Sequence, residues 1–112
     1  MKLKGFMLAI DGHLLTKDTD LDIEIKGGYV SDLLSDVMGS AQEGQVWITI
    51  MRHLNVIAVA SLTNVVAITF SKSYLPEEPV IQKADQVGIT LISSKLNTFE
   101  IAGILYQHIS RS

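Results

Sequence analysis

The stretch IKGGYVSDLLSDVM, Ile25 to Met38, decides how the chain is wound. Just before it and at its start, Leu21, Ile23 and Ile25 alternate with Asp22, Glu24 and Lys26. That two-residue period predicts a strand with one wet face. Two glycines follow. Leu33, Leu34, Val37 and Met38 then repeat at helical spacing, with Ser31 or Asp32 placed to cap the first amides. Strand, glycine corner and capped helix make the opening of a β–α unit.

The same alternation continues to the C-terminus. GSAQEG closes the first helix, and QVWITI reads as the next strand. NVIAVASLTN is apolar on nearly all sides, as for a helix pressed between layers or into an interface. Asn64 separates it from VVAITF, a strand too continuously apolar to have a wet face. LPEEPVIQKADQVG begins with residues suited to a first helical turn and ends on Gly88. Pro79 must fall in that first turn, because deeper it would remove a helix hydrogen bond. ITLIS is another strand. NTFEIAGILYQHI is a closing helix, with Asn97 and Glu100 at capping-box spacing. On the N-terminal side, Leu3, Phe6, Met7 and Ile10 have helix spacing, DGH is a turn, and His13 to Leu15 is a short strand before the polar loop TKDTD. Helices alternating with buried strands predict an α/β domain with a largely parallel sheet. The wet-faced segment Leu21 to Ile25 is the candidate antiparallel edge that would make the sheet mixed.

Composition removes several function classes. At 112 residues the chain is expected to be one domain over 1–112. Its net charge is −3 and no Lys/Arg cluster interleaves with aromatics, so the positive footprint of a nucleic-acid binder is missing. There is no cysteine, which excludes disulfides, thiolate metal ligation and a cysteine nucleophile, and fits a cytoplasmic location. Leu54 to Phe70 carries Asn55, Ser61, Thr63 and Asn64 and is short for a membrane span. With 47% apolar residues in so small a chain, some must stay on the outside of the protomer, so a homo-oligomer, dimer or higher, is expected.

In open α/β sheets ligands sit outside the carboxyl ends of the strands. The residues leaving the predicted strands are Gly27, Gly28, Tyr29, Ser31 and Asp32, then Arg52 and His53, then Ser71 and Lys72, then Ser94. If the strands are parallel these share one rim. Cations on a net-acidic protein, beside helix N-termini, suit a phosphate or carboxylate. These ten are the candidate ligand-binding residues; Tyr29 and Tyr74 flank the rim and could stack on a ring. Other chemistry is poorly supported. GGYVSD lacks the Gly-Lys-Ser/Thr of a phosphate loop and the spaced glycines of a dinucleotide fingerprint. His13, His53 and His108 lack metal-ligand spacing. Ser31, His53 and Asp32 form a triad only on paper, without a nucleophile elbow. No catalytic residue, metal or cofactor is therefore expected.

KGGYVSDLLSDVM, GQVWITI, ITF…PEEPVIQKADQVGITLISS and TFEIAGILY together resemble the stand-alone DRTGG-domain proteins. Similar domains form the N-terminal region of HPr kinase/phosphorylase and occur within some phosphate acetyltransferases. The resemblance covers about residues 20 to 107. It implies a three-layer α/β/α sandwich with a mixed, mostly parallel sheet, and a non-catalytic regulatory, ligand-sensing or oligomerising module. The kinase chemistry of HPr kinase belongs to a separate phosphate-loop domain and is not implied. Of the motif that names the family, the Asp-Arg falls at Met51-Arg52 and the Thr-Gly-Gly at Ser71-Lys72-Ser73, so both glycines are replaced. Stand-alone members are often encoded near iron-only hydrogenase-like iron–sulfur proteins and sensor-kinase-like ATPases. The resemblance thus also implies a protein partner in redox regulation, with an adaptor lacking any small ligand as the alternative function.

Overall fold

A computed structural model of the chain describes residues 1–109; Ser110, Arg111 and Ser112, within the domain expected over 1–112, lie outside the described residues. The predicted alternation is present. In chain order the elements are α1 (Leu3–Ala9), β1 (His13–Leu14), β2 (Gly27–Val30), α2 (Leu34–Ser40), β3 (Gln45–Thr49), α3 (Asn55–Thr63), β4 (Ala67–Phe70), α4 (Glu78–Val87), β5 (Leu91–Ser93) and α5 (Thr98–Ile109). They build a five-stranded sheet in the order β1-β5-β4-β3-β2. Strands β2 to β5 are parallel, and β1 pairs antiparallel with β5.

Local chemistry sets many of the boundaries. Asn97 and Glu100 form a reciprocal capping box at α5: the Asn97 N–H donates to Oε1 of Glu100 at 3.1 Å, and the Glu100 N–H to Oδ1 of Asn97 at 2.8 Å. Pro79 lies in the first turn of α4. Asn64 ends α3 and Gly88 ends α4, both in the left-handed conformation, with φ of 58° and 78°.

Alternate residues of the central strands feed two cores. Trp47, Ile68, Phe70 and Leu91 pack against Val37 of α2, Val56 and Ala60 of α3 and Val80 and Ala84 of α4. Val46, Ile48, Ala67 and Ile92 pack against Leu3 and Phe6 of α1 and Ile101 and Leu105 of α5. The three connections between neighbouring parallel strands therefore share one face, as crossovers of one hand must. The result is three layers, α/β/α.

One expected element is displaced. Leu21 to Ile25 is not a strand: it forms turns and one isolated antiparallel bridge, Lys2 to Glu24. Its backbone is taken by the N-terminal segment. The Leu3 N–H donates to the Ile23 carbonyl and the Lys4 N–H to the Leu21 carbonyl, both at 2.9 Å, while the Ile25 N–H donates to the Met1 carbonyl at 2.8 Å. The strand is made instead by Gly27, Gly28, Tyr29 and Val30. The antiparallel edge that makes the sheet mixed is β1, not this segment.

Candidate functional site

Because β2 to β5 are parallel, the segments leaving them do share one rim. The chain goes from β4 to α4 on one face and from β5 to α5 on the other. Adjacent connections that diverge in this way open a crevice in sheets of this class. Here the crevice is sewn shut. The Lys72 N–H donates to the Leu96 carbonyl and the Ser73 N–H to the Ser94 carbonyl, each at 2.8 Å. Ser71 is fully buried, its Oγ 2.7 Å from Oγ1 of Thr98. Ser94 is buried too; its hydroxyl donates to the Ile10 carbonyl at 2.6 Å and accepts from the Leu96 N–H at 3.2 Å. Both serines hold the fold together and turn no hydroxyl to the rim.

Lys72 and Ser73 have φ of 59° and 57°. This is the left-handed region that glycine enters freely and other residues enter at a penalty. The resemblance sets the family's two glycines at these positions. Two non-glycine residues thus hold a backbone that glycine favours, and it aims both amides at the β5 loop.

At the other side of the rim, Asp32 is a brace. Its Oδ1 accepts from the Thr49 hydroxyl at 2.7 Å and from the Ile50 N–H at 3.0 Å, tying the end of β2 to the end of β3. The Ser31 Oγ accepts from the Leu33 N–H at 3.2 Å, and the Trp47 indole N–H donates to the Ser31 carbonyl at 2.9 Å. Neither side chain caps α2. Gly27, Gly28 and Tyr29 lie inside β2, before the rim. A Cβ on Gly28 would sit 2.6 Å from Cδ2 of Leu105, so its bareness serves the close approach of α5. The Tyr29 hydroxyl donates to Oδ2 of Asp36 at 2.7 Å. This bond, first among its causes, raises the Tyr29 pKa above its ordinary value of 10.0.

Arg52 and His53 remain, and they share a cleft of about 600 Å³ between the β3–α3 turn and the segment entering α4. Its other walls include Ile50, Leu54, Leu75, Glu77 and Val80. The Arg52 guanidinium carbon lies 4.6 Å from the centre of the Tyr74 ring, a cation–π contact that holds the side chain without neutralising it. Among the described residues no carboxylate pairs with it. The His53 Nδ1 accepts from the Asn55 N–H at 3.3 Å, which leaves Nε2 as the proton-bearing nitrogen of the neutral ring. Lys72 is exposed on the neighbouring loop, outside this cleft. The helix ends contribute less than their positions suggest: His53 serves α3, Glu77 and Glu78 stand at α4, and Asn97 and Glu100 serve α5. The paper triad is not assembled, since Ser31, Asp32 and His53 each bond within their own turns or to β3. Among the described residues no group of three His, Asp or Glu side chains is placed to hold a metal, and no helix is long and apolar enough to cross a membrane.

Sequence reasoning put Arg52 and His53 on the rim through their place after a strand. It missed Tyr74 as the support of Arg52, and Glu77 as a wall. Clefts of similar size occur at the opposite end of the sheet and beside α5, so volume does not single out this one. Its chemistry does: Arg52, with no carboxylate partner among the described residues, and His53 line the same opening.

No family model matches the chain, and no curated protein does. A solved structure does: the crystal structure of the CBS and DRTGG domains of the regulatory region of Clostridium perfringens pyrophosphatase, complexed with its activator, diadenosine tetraphosphate. The superposition has a TM-score of 0.76 at 15% identity and covers 95% of this chain and 46% of that one. The chain thus spans about half the length of the structure it matches. A likeness at this identity is one of architecture, and it agrees with the resemblance carried by residues 20 to 107: the fold is a CBS/DRTGG-like α/β fold.

Proposed function

We propose that this chain is a non-catalytic regulatory domain of the cytoplasm that senses a small phosphorylated or carboxylate ligand and self-associates. The observation that carries the ligand reading is Arg52, held over Tyr74 at the mouth of a cleft and meeting no carboxylate among the described residues. A guanidinium in that state presents its donors as a planar fork to an incoming anion. The imidazole N–H of His53 supplies a second donor, and Lys72 adds long-range attraction from the next loop. Asp32 positions the β3–α3 turn, and through it Arg52, without touching the ligand. The architectural likeness to a regulatory region that binds a nucleotide activator supports a sensing role.

The experiment is a titration with inorganic phosphate, nucleotides, sugar phosphates and dicarboxylates, followed by amide resonances. Arg52, His53 and Leu75 are expected to shift together, and Arg52→Ala to weaken binding at least tenfold, the loss of about one charge-assisted contact. Arg52→Lys keeps the charge but loses the fork and the stacking geometry, so it recovers only part. A panel that moves none of these resonances overturns the ligand reading. The adaptor reading, a partner of a redox or signalling complex without a small ligand, is favoured by the exposed Leu8 and Leu62. It predicts no shift with any anion.

A further inference from the structure

Among the described residues β2 ends the sheet with no strand on its outer side. Natural edges are usually blunted by charge, proline or a bulge. This one is Gly-Gly-Tyr-Val. The registers of β3 with β4 and of β2 with β3 turn the peptide groups of Gly27 and Tyr29 onto β3, so those of Gly28 and Val30 point away from it. Beside this edge, on the α5 face, runs a groove of about 600 Å³ whose walls include Gly28, Val30, Phe99, Gly103 and Tyr106, and none of its lining residues is charged. Phe99 is 86% exposed, Tyr106 75% and Val30 48%.

We infer that this edge and groove form an isologous dimer surface, occupied by the β2 and α5 of a second copy of this chain. The inference rests on the self-association part of the reading above and names where it occurs. A two-fold axis through Tyr29 sets Gly28 against Val30 of the other copy and makes about four backbone hydrogen bonds between antiparallel β2 strands. The sheet becomes ten-stranded. The two α5 helices lie side by side on one face, and Phe99 and Tyr106 of each copy cover the junction. With aromatic side chains of roughly 150–250 Å² each, the three exposed apolar residues offer about 400 Å², half of the ~800 Å² per partner that a stable interface buries. The glycine walls and the strand edge itself supply the rest. Charge points the same way. Two copies carrying −3 each repel, and an uncharged groove is where they meet with least opposition.

Light scattering at increasing concentration, joined to amide exchange, tests the surface. The native chain is expected at twice 12.3 kDa, and the Phe99→Asp/Tyr106→Asp double variant at 12.3 kDa with an unchanged circular dichroism spectrum. Leu62→Lys, on the outer face of α3, should remain dimeric. The Val30 amide should exchange more slowly as the native chain is concentrated. If the double variant fails to fold, that exchange measurement decides alone. A dimer that survives the double variant, one that Leu62→Lys dissolves, or Val30 exchange independent of concentration overturns this surface and leaves self-association standing. A native chain monomeric at millimolar concentration overturns both.

Discussion

Lys72 and Ser73 stand side by side in a conformation that costs an L-residue about 1 kcal/mol or more. Their amides are both spent on the β5 loop, so the turn has no cheaper shape available. Replacing either residue by glycine removes that penalty but adds freedom to the unfolded chain. Lys72→Gly and Ser73→Gly are each expected to raise unfolding free energy by up to about 1 kcal/mol, measured by urea melts; a loss of that size would show that the side chains hold the turn. Thr69 makes a second case. Its Oγ1 is buried without a partner among the described residues, between Ile48 and Ile92 in register. Thr69→Val keeps the volume and removes the stranded hydroxyl, so it should stabilise by about 1 kcal/mol. None of this is legible from sequence. A left-handed turn normally announces itself by glycine or asparagine, and here it is written with lysine and serine. Likewise Ser71 and Ser94 read as rim hydroxyls, yet each turns inward to hold another element.

Elements were legible where their ends carry their own chemistry. The capping box of α5, Pro79 in the first turn of α4, and Asn64 after α3 are local signals that tertiary contacts did not override. β2 was not legible, because glycines disfavour strands and the alternating Leu21, Ile23 and Ile25 imitate one. The decision belongs to the N-terminal residues that hydrogen-bond to that segment and to Leu105, which demands a bare strand at Gly28. Once formed, β2 is fastened to α2 by the Tyr29–Asp36 bond. Since the folded pKa of Tyr29 lies above its unfolded value, this bond's contribution is fully present below pH 10.0 and is lost as pH rises through the folded pKa. The stability difference between the native chain and Tyr29→Phe should be flat from pH 7 to about 9 and shrink above 10. A gap unchanged up to pH 11 would falsify the tether.

On the scale of the whole molecule, neighbouring parallel strands are also neighbours in sequence from β2 through β5. Each β–α unit can therefore dock on the one before it. β1 is the exception: it precedes them all in the chain yet pairs with β5 at the far side of the sheet. The closure of that long loop has to follow the rest, since its partner surface exists only once β5 is in place. In pulse-labelled refolding the Leu15 N–H, bonded to the Leu91 carbonyl at 2.9 Å, should gain protection after the Ile68 N–H, bonded to the Thr90 carbonyl at the same distance. Simultaneous protection of the two would refute this order. During synthesis the consequence is a delay. β1 is made before the other four strands and has no edge to join until β5 follows, so its backbone must stay solvated in the meantime. The earliest strand of this sheet to be made is the last to find its place in it.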